Sequence, residues 1–428
     1  MSNQLRDDMR EARRAFGMVW ARFAREAGYG EAHLRNVENG NRSVTADVAA
    51  AYDRVLRTGG AFASRLAAAS ATGRSAPWTT DETLSVLTDL VDGSGVDRRG
   101  FLAAGLALSA SASSWAAALE SRPARTPAGL PSSPALLAHM DDRLDHLRRL
   151  DDELGSGEVY QLARSELSLA VKLIKTRRYT SAGLGRLHSI AAEAARQVAW
   201  AAFDQDRAGI AQRFFDASLR ASAEAGDPIS GAYTLSFAAV QCYSTAHEAG
   251  RAVALLDTAR TQVKGIGTPR MEAMLAARTA RALSKTGAKK ETAHQLHLAR
   301  AALDKGRRDN DPKTLYWVDY GEIEMIAGSS ALELGDPAEA LRRFEAGMEA
   351  SYPGDEEYPR SHAIYLARAA EAHLALDDLD GAVATARHAA ACLGSVDSVR
   401  SASQLKGLRE KLAQHAAYPA IRDFLEAG

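Results

Sequence analysis

Apolar residues recur at spacings of three and four through most of this chain, and no stretch alternates like a half-buried strand, so the pattern predicts helices. The run MREARRAFGMVWARFAREAGYGEAHLRNVENGNRSVTADVAAAYDRVL at 9–56 puts Met18, Phe23, Ala24, Ala27, Leu34, Val37, Val48, Tyr52, Val55 and Leu56 at inward helical positions. Gly28 separates two short helical patterns, where a tight turn wants a residue free to take positive φ. Glu38-Asn39-Gly40 ends the second of them with residues that tolerate a left-handed stop. From Thr58-Gly59-Gly60 to about residue 134 the pattern breaks into Ser, Gly and Ala clusters, with one helix predicted over Asp81–Leu90. Pro123, Pro127, Pro131 and Pro134 close this stretch and are incompatible with a continuous helix. Beyond them paired helices follow one another, opening with Leu136–Leu150 and Glu158–Lys175 and closing with Gln404–Gln414 and Ile421–Leu425. The organisation read from this is 1–57, a linker with short helices at 58–134, and a helical array at 135–428.

The segments Gly17-Met18-Val19-Trp20, Phe23-Ala24, Ala27-Gly28-Tyr29-Gly30 and Leu34-Arg35-Asn36-Val37-Glu38-Asn39-Gly40 follow each other without a gap. In this spacing the first domain resembles the repressor-like (XRE) helix-turn-helix family. Two departures stand out: Val19-Trp20 replaces the family's Thr-Gln, and Tyr29-Gly30 replaces Val-Ser, which removes an N-cap hydroxyl. The resemblance implies a recognition helix from about Gly30 to Val37, with Glu31, Ala32, His33, Arg35 and Asn36 toward the major groove. Arg35 would pair with a guanine edge, Asn36 with an adenine, and Ala32 would touch only a thymine methyl. Glu31 would accept from a cytosine amine or repel the backbone. Trp20 would reach a phosphate only through its indole N–H, and Asn39 and Arg42 would sit in a phosphate-contacting loop. The alternative is a module of this fold used for protein contacts alone.

The array carries a repeating signature. Its clearest copy is Gly328, Leu334-Gly335-Asp336-Pro337, Ala340, Phe344 and Gly347, with Pro353 after it. Others are Ala370, Leu376-Asp377-Asp378, Ala382, Ala386 and Ala389; Val240, Tyr243, Ala252, Leu256 and Ala259; and Ala199, Ala202, Ala211, Phe215 and Ser218 with Gly226-Asp227-Pro228. A weaker copy centres on Ala280, Gly287 and Ala293. The key alanines 211, 252, 293, 340 and 382 lie 41, 41, 47 and 42 residues apart. This resembles tetratricopeptide repeats, with a period longer than their usual thirty-four or so; an unrelated array such as a HEAT-like one is the alternative. Each hairpin has a face it cannot bury alone, and stacking buries these faces in one core. The expected fold class is therefore all-α, a repressor-like helix-turn-helix domain followed by a tetratricopeptide-like α-solenoid. In such repeats the first helix of each pair lines a groove, which implies Glu193, Arg196, Trp200, Thr234, Phe237, Gln241, Arg281, Glu322 and Met325 as contacts for an extended peptide.

Composition adds little to this picture. The chain has 428 residues, 46% of them hydrophobic and 25% charged, and a net charge of −1, so no global basic field marks a nonspecific nucleic-acid binder. Residues 1–60 hold 10 Arg against 8 acids, a mild positive bias. Cys242 and Cys392 read as small core residues in a reduced compartment, and the expected location is the cytoplasm. Residues 97–119, DRRGFLAAGLALSASASSWAAAL, resemble a twin-arginine export signal through Arg98-Arg99. Such signals act near an N-terminus, and serines at 109, 111, 113 and 114 dilute the apolar stretch, so an Ala-rich helix packed on the next domain is preferred.

No phosphate loop, nucleophile motif or metal-ligand spacing is found, and no cofactor or catalytic residue is expected. His294 and His297 read as solvated or core histidines, and the pairs Asp141-Asp142, Asp151-Asp152 and Glu356-Glu357 as solvated helix ends or loops. The resemblances together imply a transcriptional regulator, common in actinomycete-type genomes, that binds double-stranded DNA as a homodimer away from membranes. Its array would sense a signalling peptide, a small-molecule effector or a protein partner. A tetratricopeptide interaction scaffold that does not bind DNA is the rival class.

Overall fold

A computed structural model describes residues 2–38, 44, 46–58, 60–62, 78–92, 104–121, 134–176, 178–245, 248–350, 352–353, 357–394 and 396–427. Among the described residues the regular structure is helical, with a single isolated bridge between Gly155 and Asp397. These residues fall into two compact units, one holding the described residues up to 62 together with 104–107, and one holding 78–92 and the residues from Leu108 to the C-terminal helix. No helix among them is long and apolar enough to cross a membrane. Arg98, Arg99, Asn39 and Arg42 lie outside the described residues.

The first unit consists of α1 (Ser2–Phe16), α2 (Trp20–Ala27), α3 (Glu31–Glu38) and α4 (Ala46–Leu56). Met9, Phe23, Leu34, Val37, Val48 and Tyr52 are buried in one cluster, as the apolar spacing predicts. Gly28 ends α2 at φ 78°, its N–H donating to the Arg25 carbonyl while Tyr29 N–H donates to the Ala24 carbonyl. This double closure needs the left-handed residue that a glycine accommodates without strain. At the far end of α3, Glu38 is buried and accepts from Arg13 of α1 at 2.7 and 2.9 Å and from the Tyr52 hydroxyl of α4 at 2.9 Å. One carboxylate thus ties three helices together and sets the tilt of α3.

In the second unit the residues expected in a linker contribute two helices, α5 (Thr80–Asp92) and α6 (Ala104–Glu120). Leu87, Leu108 and Trp115 are buried in the array's main core, and Trp115 Nε1 donates to Ser222 Oγ at 2.9 Å. The serines that spoil a membrane span are polar neighbours here: Ser111 bonds Asp216. Fourteen helices follow in consecutive pairs among the described residues. They are α7 (Pro134–Leu154) with α8 (Ser156–Lys175), α9 (Ser181–Asp204) with α10 (Ala208–Ala225), α11 (Pro228–Ser244) with α12 (Ala249–Gln262), and α13 (Pro269–Ser284) with α14 (Lys289–Leu303). After them come α15 (Tyr320–Glu333) with α16 (Pro337–Glu349), α17 (Pro359–Ala375) with α18 (Leu379–Leu393), and α19 (Val399–Leu412) with α20 (Pro419–Glu426).

The small-residue signature sits at helix crossings. A Cβ on Gly328 would lie 2.7 Å from the Phe344 ring and 3.0 Å from the Ala340 carbonyl, so α15 and α16 approach closely only because that position is glycine. Ala211, Ala252, Ala340 and Ala382 are fully buried. The weak copy needs correction: Ala293 is exposed, and its neighbours Thr292 and Ala299 are buried instead. The frame starting at Ala293 would have buried His297 and Arg300, whereas Thr292, Leu296 and Ala299 present a face that can pack. The long interval before Ala340 is taken up by residues 304–319, which include a 3₁₀ turn at Lys313–Leu315.

The array also closes on itself. Ser156 N–H donates to the Asp397 carbonyl at 3.1 Å, and Asp397 N–H donates to the Leu154 carbonyl at 3.0 Å. Gly155 (φ 87°) and Gly157 permit this contact, because a Cβ on either would collide with Asp397. Next to it Arg360 of α17 donates to Asp151 of α7 at 2.7 Å and to Ser156 Oγ at 3.1 Å. These contacts bridge the start of the array to its late helices.

Candidate functional site

On the first unit, α3 presents its outward residues on a frame locked by Leu34, Val37 and Glu38. Arg35 pairs with Glu31 one turn earlier at 2.6 Å, and its side chain remains 52% exposed. Asn36 is half-buried, and His33 stacks on Tyr29 with ring centroids 5.2 Å apart. Trp20 is covered by cations: the Arg13 guanidinium lies 3.7 Å from the ring centroid and that of Arg35 at 5.3 Å. Trp20 therefore links α1 to the outward face of α3 through two cation–π contacts. Ala32 shares the helix with these residues.

The second unit encloses a chamber of about 160 Å³ between α7, α9, α11, α13, α15, α17 and α19. Of the residues expected in a groove, Arg196, Trp200, Phe237, Arg281 and Glu322 line it. Glu193 stands one layer behind, accepting from Arg196 at 2.8 and 2.9 Å, Arg148 at 2.7 Å and Gln197 at 3.0 Å. Burial alone would raise its pKa, but Arg196 and Arg148 hold it down to about 2. Three expectations fail. Thr234 is buried against Ser218, Met325 packs beside Phe344, and Gln241 is buried with its amide donating to the Ala208 carbonyl at 3.1 Å. All three face neighbouring helices, because a closed ring buries more of each first helix than an open groove does.

Residues that the pattern did not single out contribute most of the chamber. Tyr316 and Trp317 come from the long 304–319 connection, and Tyr352 and Tyr358 from the connection before α17. Asp151 is buried rather than solvated, held by Arg360, by Ser156 Oγ at 2.6 Å and by the Trp200 indole at 3.1 Å. Burial would raise its pKa, and the Arg360 guanidinium more than offsets that, leaving it below the usual value. Its neighbour Asp152, bonded by the Tyr316 hydroxyl, goes the other way: burial pushes it up to about 7 despite Arg360. Glu322 accepts from the Tyr365 hydroxyl at 2.7 Å and is raised by burial to about 8.

Seven arginines line the chamber: 148, 196, 278, 281, 360, 368 and 400. Arg148, Arg196 and Arg360 are paired with carboxylates at 2.6–2.9 Å, and Arg400 reaches Asp204 at 3.2 Å. Arg278 is only 7% exposed, yet its hydrogen-bond partner is the Ser236 carbonyl at 3.0 Å, and its guanidinium lies over Phe237 and Trp317. Arg368 donates to Ser329 Oγ at 2.9 Å. Neither makes an ion pair among the described residues. The sequence signal for both was an arginine set inside a stripe of buried alanines, as in Ala276-Ala277-Arg278 and Ala367-Arg368-Ala369.

A wider cavity of about 960 Å³ adjoins the chamber, and Tyr243, Ser244, Arg281, Ser329, Arg368 and Arg400 line both. These six residues form a throat between an inner chamber and an outer mouth. Elsewhere His362, His388 and Cys392 bring ligand atoms within 4.8 Å of one another. A closed structural zinc site uses four protein ligands, so this trio is one short. His294 and His297 are exposed, and Cys242 is a core residue whose thiol burial pushes up to about 12. Compared with known protein families, with curated proteins and with solved structures, the chain matches none.

Proposed function

We propose that this chain is a DNA-binding transcriptional regulator of the repressor-like kind, acting as a homodimer on double-stranded DNA, whose helical array takes up an effector that modulates operator binding. The observation that carries the first half is α3: its inner face is fixed by Leu34, Val37 and the Glu38–Arg13–Tyr52 cluster, and its outer face offers Arg35 and Asn36. Arginine and asparagine are the residues best suited to bidentate contacts with guanine and adenine edges. A short helix held this rigidly gives such contacts a defined register. Two heads are needed, because a single one buries too little surface for high specificity.

For the effector, a small chamber behind a wider mouth favours a small molecule over an extended peptide or a protein partner, since the Asp151–Arg360 and Gly155–Asp397 contacts bridge the groove. An effector acts only through unequal affinity for competent and incompetent arrangements of the heads, and a coupling of about 1–3 kcal/mol would change operator affinity roughly 5- to 150-fold. Selection of bound sites from random duplex DNA with the full-length protein, at moderate salt, tests the reading. A defined motif is expected, and Arg35→Ala or Asn36→Ala should relax it at a cost of about 1–3 kcal/mol per lost contact. No enrichment of any sequence would instead favour a protein-docking module on an interaction scaffold.

A further inference from the structure

We infer that the throat of the chamber is an anion site, and that the effector is a small molecule in which a carboxylate or phosphate is attached to one planar ring. The inference deepens the proposed function by naming the effector's class, and it rests on that reading only for its effect on DNA.

Three guanidiniums, from Arg281, Arg368 and Arg400, meet where chamber and mouth join. Arg400 is matched by Asp204, and Arg281 reaches Glu333 at 3.5 Å, but the hydrogen bond of Arg368 goes to the neutral Ser329 hydroxyl, and the nearby Glu371 is paired with Lys411 at 2.6 Å. Burying a cation without a counter-charge costs several kcal/mol unless something else compensates. An arrangement that gathers like charges and leaves one unmatched is stabilised by an anion arriving from outside. Burial, and then the neighbouring Arg281, lower the Arg368 pKa to about 10, as expected for a cation waiting for such a partner. Two further groups that line the chamber are about 5% exposed and have an unused polar atom: the Tyr352 hydroxyl and Arg281 Nε. Native interiors rarely leave such atoms unsatisfied, and a polar ligand in the chamber would offer them partners.

The ring follows from size and lining. A buried volume of about 150 Å³ is enough for benzene, and the inner chamber measures about 160 Å³. Its walls include Trp200, Phe237, Trp317 and Tyr365; guanidiniums lie over the first three rings, and a flat π system suits both the aromatic edges and the planar guanidiniums stacked on them. Of the three carboxylates in that wall, Asp151 is charged but paired with Arg360 at 2.7 Å, and Asp152 and Glu322 have pKa values raised to about 7 and 8, which reduces their repulsion of an anion near neutrality.

The test uses the full-length protein with phenyl phosphate and benzoate as anionic probes and phenol and benzyl alcohol as their neutral counterparts. Binding is read by the fluorescence of Trp200 and Trp317 and by the shift in melting temperature. At least one anion should bind, about tenfold or more tighter than its neutral counterpart. Phenyl phosphate against benzoate then distinguishes a phosphate from a carboxylate source. Arg368→Gln should weaken that binding about tenfold or more while melting at or above the wild-type temperature, since it removes an unmatched buried charge. Neutral and charged probes binding alike, no anion binding at millimolar concentration, or Arg368→Gln binding as wild type would each overturn the inference. Anion binding that leaves operator affinity unchanged would uphold the site and refute its regulatory role, whereas failure to select any DNA motif would refute the reading head alone.

Discussion

Arg360→Met probes the contact that encloses the chamber. The guanidinium is 3% exposed and donates to Asp151 at 2.7 Å and to Ser156 Oγ at 3.1 Å. Its removal leaves the Asp151 carboxylate buried with two donors, Ser156 Oγ and the Trp200 indole, and no opposing charge in contact. Breaking one side of a buried pair in this way costs about 3–5 kcal/mol. Replacing both partners, as in Arg360→Met with Asp151→Leu, should recover most of that loss, because an apolar pair of similar volume needs no desolvation of charge. The assay is urea denaturation of the full-length protein followed by Trp200 fluorescence and by circular dichroism, for the two single variants and the double. Coupling energies from such a cycle isolate the pair. A single variant within about 0.5 kcal/mol of wild type, or a double variant whose loss equals the sum of the singles, would refute the closure argument.

Three further outcomes are expected. Glu38→Ala strands Arg13 and the Tyr52 hydroxyl inside the first unit and should destabilise it by about 3–5 kcal/mol; amide exchange of α1–α4 at wild-type rates would contradict this. Ala340→Trp should destabilise the array by at least about 1–3 kcal/mol through overpacking against α15, and Thr292→Trp should do the same, while the exposed Ala293→Trp stays within about 0.5 kcal/mol. Equal melting temperatures for Thr292→Trp and Ala293→Trp would reject the corrected register. For pH, Asp152 and Glu322 have folded pKa values near 7 and 8, above their ordinary values of 3.8 and 4.5. The folded state then holds protons that the unfolded chain has released, so their contribution to stability declines as pH rises from about 4.5 to 8. Glu322 faces Tyr365, Asp319, Arg278 and Asp152. Asp151 and Glu193, whose pKa values are lowered, act in the opposite sense and only below their ordinary range. Glu322→Gln should flatten the neutral slope in melting temperature against pH, and an unchanged slope would show that Glu322 does not hold the proton.

Much of this molecule is local, and what is local was legible. The 3.6-residue spacing of Phe23, Ala27, Leu34 and Val37 specifies the short helices of the first unit, and Gly28 specifies the turn between them. Gly328, Ala340, Phe344 and Gly347 specify one hairpin and its close crossing, because small residues face each other at a fixed interval. The same logic failed at Ala293, where small residues stand at several adjacent positions and only the burial of His297 or Arg300 distinguishes one frame from the next. At 58–134 the helix expected over Asp81–Leu90 and the Ala-rich helix expected to pack on the next domain are present as α5 and α6, but the partners that receive them, Ser222 and Asp216, are not written in their own spacing.

The chamber belongs to tertiary structure. Asp151 and Arg360 lie 209 residues apart and meet only because the small rotation of each hairpin on the last accumulates over the stack. That accumulated curvature turns an open groove into a ring, buries Asp151 where the sequence suggested a solvated end, and turns Thr234, Gln241 and Met325 toward neighbouring helices. It also draws Arg278 and Arg368 from alanine-rich stripes into one wall with four tyrosines supplied by the connections and by α17. Periodicity determines which face of a helix is buried. What that face meets is decided by the sum of many small inter-hairpin angles, which no window of sequence contains.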